Sequence, residues 1–277
     1  MNAHRLDPLP AQRGEVGRRP GEGRLDRSAP HPDPLPASQG EGGNVVAVVA
    51  MVGLWALVAQ LDVGGRPLLA GPVATLRALG DLSLATDLLA TLARAVAGLF
   101  LGVLAGLVLG VAVAAAARVA PVVDSLLDFA RSVPPVVLLP TFLLALGYDD
   151  RARVTTVAAG CAVIIATSVT SALRAPLSAR AELLRLSGAS WLQRLRWTQP
   201  WEALPTLLAG LRIAAGMAVV VATVTEMVAG APHGIGARVV SAQVAGQTPE
   251  LTASIVAIGL AGWALNAVLR KLERRWA

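Results

Sequence analysis

The chain has 277 residues, of which 55% are hydrophobic and only 15% are charged. Soluble domains carry about 25% charged residues, so this chain has too few polar side chains to cover a water-soluble globule of its size. The formal charge of +6 comes almost wholly from arginines that separate apolar runs. That pattern is typical of loops between membrane spans and not of a nucleic-acid-binding surface, so no nucleic acid partner is predicted.

The N-terminal segment, residues 1–43, is rich in proline, glycine and arginine. Such a composition buries too little apolar surface to fold and predicts a disordered tail. Residues 44–277 are then predicted to form one membrane domain. Its first span is the uncharged stretch 45–61.

Five further stretches are apolar and approach or exceed the roughly 20 residues that a helix needs to cross a bilayer. They are 95–117, 132–148, 154–173, 203–232 and 251–269. The stretch 132–148 contains Pro134, Pro135 and Pro140 and is predicted to be kinked or partly unwound. The fold class predicted from these stretches is all-α, a polytopic membrane protein of about six transmembrane helices.

The arginines between the spans predict the orientation. If six spans alternate from a cytoplasmic N-terminus, about twice as many basic residues flank the inner ends as the outer ends, once the tail is left aside. Both termini are therefore predicted to be cytoplasmic.

Two spans carry small residues at every fourth position, which places them on one stripe of each helix. Stripes of this kind let helix backbones approach closely in lipid, where packing drives association. The helix-packing residues predicted in this way are Gly98, Gly102, Gly106, Gly110, Gly210, Ala214, Ala218 and Ala222.

Glu226 continues the second stripe and is predicted to face protein or a water-filled path instead of lipid. A carboxylate inside a membrane span is a candidate for transport or gating. A local structural role is the alternative, and the residues leave both open. Arg94 lies near the predicted outer mouth, where it could either line the path or anchor its helix.

The segment 174–202 does not resemble a plain solvated loop. A short helical pattern over 178–187 ends at Gly188, which can adopt the left-handed conformation of a helix terminus. Ser190, with Gln193 three residues later, forms a capping-box pattern for a second helix. Exposed leucines and a tryptophan in such a polar segment predict a docking surface for a cytoplasmic partner. A helix pair lying on the membrane surface is the alternative.

This segment resembles a known family. Glu182, the run Gly188-Ala189-Ser190, Pro200 and the run Gly210-Leu211-Arg212-Ile213 are similar to the EAA loop of binding-protein-dependent ABC importer permeases. The similarity extends over residues 66–277, most closely to the nitrate/sulfonate/taurine branch. The run Arg131-Ser132-Val133-Pro134-Pro135 resembles the proline-rich third span of that branch. Leu183 and Leu184 depart from the family pattern, because alanines are expected there.

The resemblance implies the type I ABC importer permease fold and a bacterial inner-membrane location. It implies a second permease subunit, forming a homodimer, a cytoplasmic ABC ATPase dimer and an extracytoplasmic solute-binding protein. The solute would be small, such as nitrate, a sulfonate or taurine, moved by alternating access. The ATPase-coupling residues that it implies are Glu182, Leu183, Leu184, Gly188, Ala189, Ser190, Trp191, Leu192, Leu195 and Pro200.

The chain itself is not predicted to be an enzyme. Its only lysine, Lys271, does not lie in a phosphate-binding Gly-Lys-Ser/Thr sequence, so ATP hydrolysis would occur on a separate subunit. No cofactor or metal is predicted.

Two other function classes compete with the importer. A membrane enzyme could use Asp124 and Asp128, but their spacing from Arg131 favours a salt bridge on one helix face. An ion-coupled secondary transporter could use Glu226 as its coupling carboxylate.

Overall fold

The computed structural model describes residues 41–63, 66–67, 69–116, 120–175, 179–190, 192–193, 196 and 199–276. The chain divides into two compact units, Met1–Val48 and Val49–Ala277. Residues 1–40 of the predicted tail lie outside the described residues. The first helix begins at Glu41, so it includes the last three residues of that predicted tail.

The described chain is almost entirely helical, as the sequence predicts. Its helices are α1 (Glu41–Val58), α2 (Pro72–Leu79), α3 (Leu82–Ala115), α4 (Ala120–Ser132), α5 (Leu139–Leu146), α6 (Asp150–Arg174), α7 (Ala179–Leu186), α8 (Gln199–Ala229), α9 (Ile235–Ala245) and α10 (Thr248–Trp276). A 3-10 turn, Pro135–Leu138, precedes α5. The two-residue strands β1 (Asp62–Val63) and β2 (Arg66–Pro67) pair antiparallel, with Asp62 opposite Pro67.

Four helices of the described residues, α3, α6, α8 and α10, are long and apolar enough to cross a membrane. A fifth crossing is a broken one, because α4 and the segment Pro135–Leu146 meet at 88°. The adjacent prolines Pro134 and Pro135 explain the break, since proline lacks the N–H and clashes with the preceding helical turn. Within α1, the apolar part Val49–Val58 is shorter than these spans. The predicted count of about six is therefore approximate.

Contacts between the long helices give their directions relative to one another. Helices α3 and α6 run parallel, because Gly98 lies against Val157 and Gly110 lies against Val169. The chain between them must therefore return across the bundle, which the broken crossing does. Helix α8 runs antiparallel to α6, since the Cys161 Sγ lies 3.5 Å from the Ala214 carbonyl oxygen while Gly210 meets Ser168.

The core lies where α3, α6 and α8 meet, and small residues allow the contact. A methyl group added to Gly102 would lie 2.5 Å from Cys161 Cβ, and one added to Gly98 would lie 2.5 Å from Val157 Cβ. Methyl groups added to Gly106 and Gly110 would lie 2.7 and 2.5 Å from their nearest neighbours on α6. The structure also buries the second stripe in this core: Gly210, Ala214, Ala218 and Ala222.

Helices α2 and α9 lie in segments predicted to be outer loops, so neither helix was predicted from the sequence. Ile235 of α9 is fully buried and packs with Leu84 and Ala253 in a second apolar cluster. These helices are only 8 and 11 residues long, too short for a span. Such short helices depend on tertiary packing, and local patterns detect them poorly.

Candidate functional site

The segment from α7 to Gln193, which we call the elbow, presents leucines to the surroundings. In α7, Leu183 is 67% exposed and Leu186 is 73% exposed. Glu182 and Arg185 form an i,i+3 ion pair of 3.0 Å on the same short helix. The elbow therefore combines a charged helix with apolar side chains that nothing in the described protomer covers.

Gly188 ends α7 in a left-handed conformation, with φ at +80°. The Ala189 N–H donates to the Leu184 carbonyl at 3.0 Å, and the Gly188 N–H donates to the Arg185 carbonyl at 3.1 Å. These two bonds are those of a Schellman motif, which satisfies the last carbonyls of a helix. The predicted helix end at Gly188 is confirmed.

The capping box after Gly188 is also confirmed. The Ser190 N–H donates to Gln193 Oε1 at 2.8 Å, and the Gln193 N–H donates to Ser190 Oγ at 3.3 Å. Leu192 is helical and 66% exposed. Trp191 and Leu195 lie outside the described residues, and Pro200 is the second residue of α8.

The second candidate region is a buried charge cluster where α3, α6 and α8 meet the segment after α8. Arg94 donates from Nη1 to Glu226 Oε1 at 2.6 Å and from Nε to Asp150 Oδ1 at 2.8 Å. Glu226 is fully buried and Arg94 is 6% exposed. Arg153 joins the cluster through Asp150 at 3.0 Å.

The backbone of residues 230–236 is held by side chains of this cluster. The Gly236 N–H and the Thr91 hydroxyl both donate to Glu226 Oε2, at 2.9 and 2.8 Å. Thr91 accepts in turn from the Ile235 N–H at 2.8 Å. Arg94 donates to the His233 carbonyl at 2.7 Å.

Gly234 and Gly236 let this backbone reach the carboxylate. Gly234 has φ at +144°, which L side chains rarely adopt, and a methyl group there would lie 2.5 Å from the Glu226 carboxyl carbon. A methyl group at Gly236 would lie 2.7 Å from Glu226 Cβ. The two glycines are therefore required for the chain to wrap around Glu226.

Comparison with known proteins places the chain in a family. Residues 88–274 match the family described as the binding-protein-dependent transport system inner membrane component. The chain belongs to this family. It is thus a multi-pass inner-membrane permease, as the sequence resemblance indicates.

Relatives and solved structures agree with this assignment. The permease is 26% identical over 81% of its length to a Bacillus subtilis protein named as an aliphatic sulfonates transport permease, SsuC, of which it covers 83%. It is 28% identical to the taurine transport system permease protein TauC of Escherichia coli, over 70% of each chain. An inward-facing structure of the MetNI methionine ABC transporter shares its fold, with a TM-score of 0.60 and 23% identity over 68% of this chain and 93% of that one.

The sequence leaves two roles open for Glu226, one in transport or gating and one in local structure. The geometry of the permease favours the structural role. One carboxylate oxygen accepts from Arg94, and the other accepts from Thr91 and Gly236. A coupling carboxylate must exchange protons or ions with water, whereas this one is enclosed by donors. Family membership does not favour the secondary-transporter alternative either.

Asp124 and Asp128 do not act as a pair. Asp128 lies 3.6 Å from Arg131 on the same helix face, as the spacing predicts. Asp124 instead accepts from Arg174 of α6 at 2.6 Å. This cross-helix ion pair was missed, because local spacing does not show which helices pack together.

Proposed function

We propose that this chain is the permease subunit of an ATP-driven importer that moves a small solute, such as a sulfonate, taurine or nitrate, by alternating access. Both termini would lie in the cytoplasm, as the arginine bias favours. The observation that carries the proposal is the elbow, whose exposed leucines lie among charged residues and outside the apolar spans.

The elbow has the properties of a mechanical contact. Helix α7 ends at a turn that is fixed by the Schellman motif, and the capping box between Ser190 and Gln193 follows it directly. An eight-residue helix such as α7 is marginal alone, so covering Leu183, Leu186 and Leu192 with a partner would stabilise it. The partner is a cytoplasmic ABC ATPase dimer, whose closure on ATP would push the elbow and the start of α8 as one unit.

The remaining partners follow from the family. A second copy of this chain would complete the path for the solute. A solute-binding protein would deliver the solute at the opposite end of the bundle, where α9 begins beside the buried charge cluster.

The relatives named for sulfonates and taurine support an organic sulfonate as the solute class. Nitrate, which the sequence resemblance also implies, is a further candidate solute. We therefore expect uptake of a sulfonate, taurine or nitrate in cells that contain the chain with its ATPase and binding protein. Loss of the chain should abolish that uptake.

The experiment that tests the proposal combines an elbow substitution with co-purification. We expect Trp191→Ala with Leu192→Ala to leave membrane insertion intact and to abolish ATPase association and uptake. Gly188→Ala should weaken both, because a side chain in the left-handed conformation costs about 1–2 kcal/mol, while Gly188→Asn should retain more activity.

Leu260→Ala is the matched control, since Leu260 is a similarly exposed leucine on the membrane helix α10. It should leave ATPase association unchanged. Normal co-purification of the ATPase with the elbow double variant would contradict the proposal. Uptake that survives loss of the ATPase but collapses with the proton gradient would favour a secondary transporter instead.

A further inference from the structure

A cavity of about 470 Å³ lies beside the broken crossing, between α4, α6 and α8. This volume falls within the range of about 300–1,000 Å³ that is usual for small-molecule sites. Among the described residues that line it, Arg131 is the only charged one. The apolar lining includes Phe129, Val133, Pro135, Ile164, Ile213 and Met217.

The cavity follows from the proline break. The 88° bend turns the chain away from the line of α4 and leaves a space that a straight helix would fill. Gly160 of α6 admits the bend, because a methyl group there would lie 2.7 Å from Pro135 Cγ. Interrupted backbone inside a membrane is tolerated where it is buried in protein or lines a cavity.

The cavity lies about halfway along the spans. Gly160 is about 15 Å from the start of α6 at 1.5 Å per residue, in a helix of 25 residues. Ile213 and Met217 lie near the middle of α8, which has 31 residues. A solute in the cavity would therefore be at mid-depth in the bilayer.

The chemistry of the lining suits an anion with a hydrocarbon tail. Arg131 is more than half exposed, and its ion pair among the described residues is a 3.6 Å contact with Asp128, which leaves guanidinium N–H groups for a second anion. Guanidinium groups bind oxyanions through two parallel N–H bonds. Nitrate would gain nothing from the apolar walls, and the ammonium group of taurine would meet no carboxylate among the described lining residues.

We propose that this cavity holds an aliphatic sulfonate during its passage, with the sulfonate on Arg131 and the alkyl chain against the apolar walls. The inference rests on the proposed importer function and narrows its solute class from sulfonates, taurine and nitrate to alkanesulfonates.

Calorimetric titration of the full-length chain in lipid nanodiscs would test the assignment, with ethane-, butane- and hexanesulfonate as probes. We expect affinity to rise by up to about fourfold per added methylene, which corresponds to burial of the chain. Taurine and nitrate should bind at least tenfold more weakly than hexanesulfonate.

Variants at two positions separate the contribution of the sulfonate group from that of the alkyl chain. Arg131→Gln should lower hexanesulfonate affinity at least tenfold, while Arg131→Lys should retain most of it. Ile213→Trp should fill the cavity and remove the dependence on chain length. Arg151→Gln is the matched control, because Arg151 is an exposed arginine away from the cavity, and it should bind like the original protein.

Unchanged binding in both Arg131→Gln and Ile213→Trp would overturn the inference. So would a phospholipid that native mass spectrometry finds on the original protein and not on Ile213→Trp, because the cavity would then be a lipid site. A different result would contradict the importer proposal, namely normal co-purification of the ATPase with the elbow variants. Cavity variants that import alkanesulfonates normally would overturn only the cavity inference.

Discussion

The elbow and the buried charge cluster use the same residue types for opposite purposes. In the cluster, Arg94 and Glu226 satisfy each other inside the protomer and are almost fully enclosed. In the elbow, Glu182 and Arg185 pair at the surface while the neighbouring Leu183 stays exposed. The cluster is therefore complete in one chain, whereas the elbow lacks a partner for its apolar surface.

Glycine shows the same contrast. Gly102 is needed because no side chain fits between α3 and α6, where a methyl group would lie 2.5 Å from Cys161 Cβ. Gly188 has nothing within 4 Å of an added methyl group, and it is needed for its φ of +80°. The first glycine sets a helix contact and the second sets the direction of the chain.

The elbow and the core formed by α3, α6 and α8 are therefore expected to have different mechanical roles. Helices α3, α6 and α8 share a tight core and the charge cluster, so they should move as one body. The elbow connects α6 to α8 and makes its specific contacts locally. A force applied to the elbow would then reach the membrane core through α8 without deforming it.

The largest expected effect comes from removing one partner of the buried ion pair between Arg94 and Glu226. Arg94→Met or Glu226→Leu alone should lower the free energy of unfolding in detergent by about 3–5 kcal/mol, because each leaves a buried charge without its partner. The double variant should cost clearly less than the sum of the two. Denaturant unfolding of all four proteins measures the coupling.

The matched control is Arg151→Met, since Arg151 is 83% exposed and lies 3.9 Å from Asp149. It should change stability by less than about 1 kcal/mol. Additive single effects at Arg94 and Glu226 would show that the two residues act independently and that the cluster does not hold α3 to α8.

The second test concerns the glycine stripe of α3. Gly102→Ala should lower the free energy of unfolding by about 1–3 kcal/mol, because the methyl group overpacks the contact with α6. Gly216→Ala, on α8, is the control, since nothing lies within 4 Å of its added methyl group. That substitution should be neutral or stabilise by up to about 1 kcal/mol through helix propensity. Equal effects at both sites would contradict the close packing of α3 on α6.

Local pattern was sufficient for the features that depend on neighbouring residues. The every-fourth spacing of Gly98 to Gly110 predicts a packing stripe, and Ser190 with Gln193 predicts a capping box, because both depend on residues within one or two helical turns. Hydropathy found the long spans, and the two adjacent prolines indicated the broken one.

Pairings between distant segments could not be predicted in the same way. Arg94 and Glu226 were both singled out, yet nothing local shows that residues 132 apart in sequence lie 2.6 Å from each other. The ion pair of Asp124 with Arg174 and the short helix α9 were missed for the same reason. For Arg94 and Glu226 a signal was present, since a charge at the end of one span and an opposite charge inside another are expected to pair in lipid.

The smallest expected effect lies at Asp81, the exposed N-cap of α3, which belongs to a separate ion-pair network around Arg238. Its carboxylate accepts from the Ser83 N–H at 3.0 Å and the Ser83 hydroxyl at 2.6 Å, and Arg238 donates to it at 2.6 Å. The hydrogen bonds from Ser83 and then Arg238 lower the pKa of Asp81 from 3.8 to about 2. Arg238 also contacts Asp87 and Glu250, so Asp81 is one of several carboxylate partners of Arg238 and its loss should have a small effect.

Because the folded pKa lies below the unfolded value, the stabilisation from ionised Asp81 is complete above pH 3.8 and is lost as the pH falls towards 2. Asp81→Asn keeps a capping oxygen without the charge. The midpoint of thermal unfolding of the original protein should exceed that of Asp81→Asn at neutral pH, and the difference should shrink over this acidic range. Added salt should shrink it too, because the site is exposed. A difference that is independent of pH would mean that Asp81 acts only as a neutral cap and that its ion pair with Arg238 does not stabilise the fold.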